Sequence, residues 1–174
     1  CVQGVDLDAG MLAACTELQL PAIQGDGLAY IAEQADHSWQ VISAFHLVEH
    51  IDFEQVYSLV KEALRVLSPG GLLVLETPNP DNLIVAGRDF YLDPSHQKPI
   101  PAHLLAFVVE YAGFEQVKIV RLNESLHLHD PTHEVSLWDS LQGVSPDYAI
   151  VAQKGGSPAL TQALQPAFAM EFGF

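Results

Sequence analysis

Two histidines and a glutamate lie close together in the segment AFHLVEHI, where His46 and His50 are four residues apart and Glu49 stands between them. On a regular helix this spacing would put both imidazoles on one face, one turn apart. That is the arrangement of an inverted zinc peptidase, whose glutamate acts as general base. Such a site needs a third ligand, for which Glu124 is the candidate. The chemistry therefore depends on the backbone that carries the segment.

The flanking sequence favours a strand end and a turn. WQVISAF, residues 39–45, is apolar, β-rich and uncharged, which is typical of a buried strand. Asp52 is a suitable N-cap for a helix predicted over residues 53–67. We therefore expect the HLVEH segment to lie in a short turn, and a zinc metallohydrolase is the less favoured function.

A second group of candidate metal ligands is the histidine-rich stretch HLHDPTHEVS. Imidazole and carboxylate groups there suit zinc, manganese or nickel, and they come from His127, His129, Asp130 and His133. A solvated loop explains the same composition, because Asp-Pro followed by Ser or Thr often forms a turn. The sequence leaves both alternatives open, and we assign no metal.

The elements that must position these side chains alternate along the chain. Strands are predicted over residues 1–6, 21–25, 39–45, 72–78, 114–122 and 147–154, and helices over 9–18, 27–34, 53–67 and 102–112. Alternation of this kind favours an α/β fold with a mostly parallel sheet and an antiparallel strand near the end. Ser68-Pro69-Gly70-Gly71 is expected to stop the helix over 53–67.

Two other features bear on the organisation of the chain. A long loop of specific composition over residues 79–101 is typical of a functional segment. Gly155-Gly156-Ser157-Pro158 marks a boundary, so we expect a domain over residues 1–154 and a linker or docking tail over 155–174.

Composition limits the class of partner. The 174 residues include 22 acidic and 7 basic side chains, a net charge of −15, which disfavours nucleic acid because binding requires Lys and Arg to neutralise phosphates. No apolar run is long enough to span a membrane, and no signal peptide is visible. Cys1 and Cys15 lack CxxC spacing and are expected to be buried or free thiols in a reducing compartment. We predict a cytoplasmic protein that acts on a small molecule or a glycan.

Four stretches, in order, resemble class I S-adenosylmethionine-dependent methyltransferases over roughly residues 1–154. They are GVDLDAGML, QGDGLAYI, VISAFHLVEHI and EALRVLSPGGLLVLETPNP. The resemblance implies a Rossmann-like sheet and S-adenosylmethionine as cofactor. Ligands of open α/β sheets bind beyond the carboxyl ends of the strands, where these stretches place their polar residues.

The resemblance also assigns cofactor contacts. Asp6 would hold the ribose hydroxyls, Asp26 and the backbone at Gly27 would read the adenine, Leu7 and Leu28 would pack on the purine, and Ala44, Phe45 and His46 would border the methionine end. The simpler role for Asp6 and Asp26 is as helix N-caps or turn formers.

A narrower resemblance concerns FYLDPSHQKPIPAHLLAFVVEYAGF, which is similar to a bacterial subgroup linked to cell-surface glycan synthesis. Methyl transfer to a hydroxyl is a displacement in which the enzyme aligns the acceptor and removes its proton. Histidine suits the task of base, and His46, His50 and His96 are the catalytic candidates. A structural histidine bonded to a backbone carbonyl is the alternative for each.

The family's first strand and its Gly-x-Gly-x-Gly loop have no counterpart in this sequence. The resemblance places that strand between those at residues 1–6 and 39–45. We therefore expect an N-terminally incomplete domain of an active enzyme. A non-catalytic methyltransferase-like binding module is the alternative.

Overall fold

The computed structural model describes residues 2–156 and 158–170. Its strands are β1 Gly4–Asp6, β2 Ala22–Gln24, β3 Trp39–Phe45, β4 Leu67–Pro78, β5 Phe114–Leu122 and β6 Asp147–Lys154. Its α-helices are α1 Ala9–Glu17, α2 Gly27–Ala32, α3 Phe53–Val66, α4 Leu83–Gly87, α5 Ala102–Ala112, α6 Leu137–Gln142 and α7 Pro158–Ala169. Single 3-10 turns cover Asp89–Leu92 and Leu126–His129.

The strands form two sheets. β1 and β2 are a parallel pair, and the second sheet has the order β3-β4-β6-β5. β3 runs parallel to β4, whereas β6 is antiparallel to both of its neighbours. This confirms the predicted α/β fold with a late antiparallel strand. Within the described part of the chain β1 and β3 belong to different sheets, and the resemblance places a further strand between them.

The core lies between the larger sheet and helices α3 and α5. Helix α3 buries one face, which includes Val56, Val60 and Ala63. Buried residues of β4 and β6 belong to the same cluster, among them Leu73 and Ile150. The 3.6-residue spacing of apolar side chains in α3 explains this burial, since such spacing gives a helix one apolar face.

The joint between α3 and β4 differs from the predicted turn. Trp39 pairs with Leu67 and Val41 with Leu72, so residues 68–71 form a bulge at the start of a strand that is longer than expected. Gly70 has a φ of 81°, and a Cβ on Gly71 would lie 2.9 Å from the carbonyl oxygen of Gln40. The glycines therefore allow close backbone approach here, rather than ending the helix through a separate loop.

The C-terminal tail contains helix α7, which lies against the edge strand β5. The Gln116 amide donates to the Thr161 carbonyl at 3.2 Å, and the Lys118 ammonium donates to the Ala167 carbonyl at 2.9 Å. Docking of this tail on another domain stays a prediction, as does the boundary after residue 154. Cys1, Ser157 and residues 171–174 lie outside the described residues, and Cys15 is a free thiol. No described helix is long and apolar enough to cross a membrane.

Candidate functional site

The predicted cofactor residues follow the carboxyl ends of three strands. Asp6 is the last residue of β1, Asp26 comes two residues after β2, and Phe45 ends β3. The pairing of β1 with β2 continues past the strands, because the Gly25 amide donates to the Asp6 carbonyl at 3.0 Å. Asp6 and Asp26 therefore lie at the same end of the small sheet.

The Asp6 side chain is exposed and forms a local turn. Its Oδ1 accepts a hydrogen bond from the Asp8 backbone amide at 2.7 Å. The N-cap of α1 is Asp8, whose side chain accepts from the amides of Gly10 and Met11. Asp6 is thus a turn former but not a helix cap. A carboxylate has about four lone-pair positions, so this bond leaves it able to accept bonds from a diol.

Asp26 does serve as the N-cap of α2. Its Oδ1 accepts from the amides of Leu28 at 2.7 Å and Ala29 at 3.2 Å. The capping role proposed as the simpler alternative therefore applies to Asp26. It is compatible with a ligand contact through the second carboxylate oxygen, because both of these bonds go to the first.

Two large apolar side chains of the predicted site are exposed. Leu7 is 69% exposed after β1, and Phe45 is 61% exposed at the end of β3. Leu28 is partly buried and packs against the core. Exposed apolar side chains beside polar strand ends suit contact with a flat apolar group such as a purine.

The HLVEH segment is a turn, as predicted, and not a helix. His46 has a φ of 49°, and the His50 amide donates to the Leu47 carbonyl at 3.0 Å. The two histidines therefore do not share one face of a helix, which removes the geometric basis of the zinc-peptidase alternative. Asp52 caps α3 through a capping box with Gln55, also as expected.

Glu49 is fully buried beneath this turn. Its Oε1 lies 3.0 Å from Nδ1 of His46, and its Oε2 accepts from the Thr77 hydroxyl at 2.9 Å. Donation to Glu49 places the proton of a neutral His46 on Nδ1 and leaves a lone pair on Nε2. That nitrogen lies 3.7 Å from Oε1 of Glu76, and the His46 side chain is 47% exposed. Glu49 thus orients an exposed imidazole.

The other two candidate bases meet in the structure. The rings of His50 and His96 have centroids 4.7 Å apart. His50 Nδ1 lies 3.0 Å from the Ser95 hydroxyl, and His96 Nδ1 lies 2.6 Å from the Phe90 carbonyl oxygen. The sequence suggested both histidines separately. Only the Asp-Pro-Ser-His turn hinted at Ser95, and nothing local predicted that residues 50 and 96 would touch.

The candidate metal ligands are distributed differently from the sequence prediction. Among the described residues, one group of three side chains lies close enough together to hold a metal ion. These side chains are Glu49, His50 and His96. Glu124 instead bonds the Ser145 hydroxyl and His129. His133 lies 3.3 Å from Asp139, and no metal-holding group forms in the described part of HLHDPTHEVS.

Two surface cavities are lined by other residues. One of about 340 Å³ is lined by Asn123, Ser125, His127, Trp138, Asp139, Gln142 and Gly143. An apolar one of about 250 Å³ is lined by Phe53, Tyr57, Leu104, Phe107, Val108 and Tyr111. Neither of these two cavities is lined by a residue predicted to bind the cofactor.

Comparison with known proteins finds a matching family model and similar curated proteins. Residues 1–75 match the family model described as a methyltransferase domain. A probable S-adenosylmethionine-dependent methyltransferase of Mycolicibacterium smegmatis is 39% identical over 80 residues, which are 46% of this chain and 30% of that protein. One from Mycobacterium tuberculosis is 34% identical over 95 residues, 55% of this chain and 34% of the relative. The chain thus spans about a third of these curated relatives.

Solved structures share the fold over most of the chain. A SAM-dependent methyltransferase from Archaeoglobus fulgidus has a TM-score of 0.74 and 29% identity, and the match covers 87% of this chain and 75% of that one. A possible histamine N-methyltransferase from Thermotoga maritima has a TM-score of 0.63 at 15% identity, covering 87% and 72%. The second likeness concerns the fold alone.

Proposed function

We propose that the chain belongs to a class I S-adenosylmethionine-dependent methyltransferase, as its similarities indicate, and that this enzyme transfers the methyl group of S-adenosylmethionine to an oxygen or nitrogen of a small molecule or glycan. The observation that carries this proposal is the position of Asp6, Asp26 and Phe45 at the carboxyl ends of β1, β2 and β3. Ligands of open α/β sheets bind at this edge.

The proposed cofactor contacts are those that the resemblance assigns to residues at these positions. Asp6 accepts hydrogen bonds from the ribose hydroxyls, and Asp26 with the Gly27 backbone recognises adenine. Leu7 and Leu28 contact the purine. Ala44, Phe45 and His46 border the methionine end of the cofactor. The exposure of Leu7 and Phe45 supports an apolar ligand surface here.

The proposed base is one of the three histidines near the turn after β3. His46, His50 and His96 each have an Nδ1 engaged with a neighbouring oxygen. A neutral imidazole that donates through Nδ1 offers the Nε2 lone pair for a proton. An acceptor hydroxyl aligned with the sulfonium methyl would lose its proton to this nitrogen as the methyl is transferred.

A glycan acceptor and a cytoplasmic location stay predictions from the sequence. The further strand and glycine loop, expected between β1 and β3, also stay a prediction, and the separation of these strands into two sheets supports it. Such a strand would pair with β1 on one side and with β3 on the other.

The proposal is tested by calorimetric titration of the chain with S-adenosylhomocysteine, comparing the wild type with Asp6→Ala. We expect saturable binding that the substitution weakens by about 1–3 kcal/mol, the scale of lost hydrogen bonds to a charged group. Glu134→Ala, which removes an exposed carboxylate elsewhere, is the matched control and should leave affinity unchanged.

Circular dichroism of each variant would show that the fold is retained. Equal affinity of Asp6→Ala and wild type would contradict the ribose assignment. A folded wild type that does not bind S-adenosylhomocysteine would contradict cofactor binding by this chain, and it would fit either a domain that lacks its glycine loop or the non-catalytic binding module.

A further inference from the structure

Glu49, His50 and His96 come together from the turn after β3 and from the loop before α5. Each can offer one ligand atom, and these atoms lie within 4.8 Å of one another. Glu49 is fully buried, and the His96 side chain is 12% exposed. We propose that these three residues bind a divalent transition-metal ion. Two imidazoles and one carboxylate suit zinc, cobalt or manganese.

The hydrogen bond of His96 fixes its tautomer. Its Nδ1 lies 2.6 Å from the carbonyl oxygen of Phe90. A carbonyl can only accept, so Nδ1 carries the proton and Nε2 of the neutral ring has a free lone pair. Donation from one ring nitrogen to a backbone carbonyl is the contact that orients metal-binding histidines in proteins.

His50 is held in the same tautomer by a short relay. The Ser95 hydroxyl donates to Oδ1 of Asp93 at 2.5 Å. The same Oδ1 accepts from the Ser95 backbone amide at 2.8 Å, so this oxygen of Asp93 is an acceptor for both groups of Ser95. Serine has one hydroxyl hydrogen, and His50 Nδ1, 3.0 Å from the same oxygen, must therefore donate. Nε2 of His50 is left with its lone pair.

Glu49 supplies the charge that a cation requires. Each of its oxygens accepts one hydrogen bond, from His46 and from Thr77. Each retains a second lone pair for coordination. Oδ2 of Asp93 lies 4.0 Å from Nε2 of His96 and adds a second negative charge beside the cluster. Burial strengthens these attractions, because the interior screens charge less than water does.

Three protein ligands leave at least one coordination position open. This part of the inference rests on the proposed function: an oxygen of the methyl acceptor, from a hydroxyl or a carboxylate, would occupy that position. Metal binding uses the lone pairs of His50 and His96. His46, whose Nε2 is not a ligand, is then the remaining candidate base among the three histidines.

The test is a titration of the full 174-residue chain with CoCl₂ in metal-free buffer, followed by visible d–d absorbance and by calorimetry. We expect one Co²⁺ site. Loss of an outer-shell partner weakens metal affinity by about 10–100-fold. His50→Ala and His96→Ala each remove a ligand itself, so each should weaken Co²⁺ affinity at least as much. His127→Ala, in the other histidine-rich segment, is the matched control and should retain the wild-type affinity.

Ser95→Ala keeps all three ligands but removes the acceptor of His50, so it should also weaken Co²⁺ binding by about 10–100-fold. Circular dichroism without metal confirms that each variant is folded. A folded wild type that binds no Co²⁺ would overturn the site. The site would also be overturned if His127→Ala lost Co²⁺ binding while His96→Ala retained it.

A parallel titration with S-adenosylhomocysteine, without metal, separates this inference from the proposed function. A chain that binds Co²⁺ at these residues but not the cofactor analogue would support the metal site and contradict the proposed cofactor contacts of this chain. The opposite result would support the cofactor site and overturn the metal site.

Discussion

At the scale of single residues, Glu49 is the central residue of the proposed metal site. It connects the turn after β3 to β4, because it accepts bonds from His46 and from Thr77 at once. Each described buried side-chain nitrogen or oxygen has a hydrogen-bond partner. A buried carboxylate is tolerated under this condition, since an unpaired one would be costly to desolvate. Glu49 therefore contributes to stability as well as to the proposed chemistry.

Thr77→Val should destabilise the protein by about 1–3 kcal/mol, because it leaves a buried carboxylate oxygen without its donor while keeping the side-chain shape. Urea unfolding monitored by circular dichroism measures the change. Thr16→Val, at an exposed helix position, is the control and should change the free energy of unfolding by less than about 0.5 kcal/mol. Equal effects of the two substitutions would show that the Glu49 bond is not important for stability.

At the scale of elements, N-caps decide where the helices begin. Asp8, Asp26, Asp52 and Asn82 each accept backbone amide bonds at the first turn of a helix. Two of these helices begin directly after strands of the small sheet. The caps therefore fix the directions in which the chain leaves the strand ends, where the cofactor is proposed to bind.

Asp52→Ala should cost about 0.5–2 kcal/mol, because α3 loses its capping box with Gln55. Asp52→Asn keeps a side-chain oxygen at the cap and should retain most of the stability. The shift of the urea midpoint at constant slope measures both variants. If Asn were as destabilising as Ala, the negative charge at the helix N-terminus would be the important factor instead.

At the scale of the whole molecule, Arg65 links helix α3 to the end of helix α2. From α3, which covers the larger sheet, its guanidinium donates to the carbonyls of Ile31 and Gln34 at the end of α2. It also pairs with Asp36 at 2.7 Å and Glu62 at 2.6 Å. The hydrogen bond from Arg65 lowers the pKa of Asp36. Arg65 thus connects the part of the chain that contains β1 and β2 to the main core.

Arg65→Met should loosen β1, β2 and α2, so that their amides exchange with deuterium several-fold faster, while β4 and β6 keep their protection. Hydrogen exchange followed by mass spectrometry makes this comparison. Arg88→Met removes an exposed arginine that pairs with its neighbour Asp89, and it is the matched control. Uniformly faster exchange in all strands would instead mean that Arg65 stabilises the whole fold.

The sequence by itself determined the elements that depend on local interactions. The apolar spacing of α3, the Asp52 cap and the uncharged run over residues 39–45 predicted their elements within a residue. The same local evidence placed HLVEH in a turn. The helix does end just before residues 68–71, as predicted. The bulge there was not predicted, because a bulge depends on pairing with β3, which a helix-stop signal does not encode.

Only the tertiary structure decided which candidates meet. His50 and His96 are 46 positions apart, and Glu49 and Thr77 are 28 apart. Contacts over such separations depend on how the loop before α5 folds back over the end of β3, not on local propensity. The structure therefore joined His96 to the adjacent residues Glu49 and His50 in one cluster, because ligand geometry is a property of packing rather than of spacing along the chain.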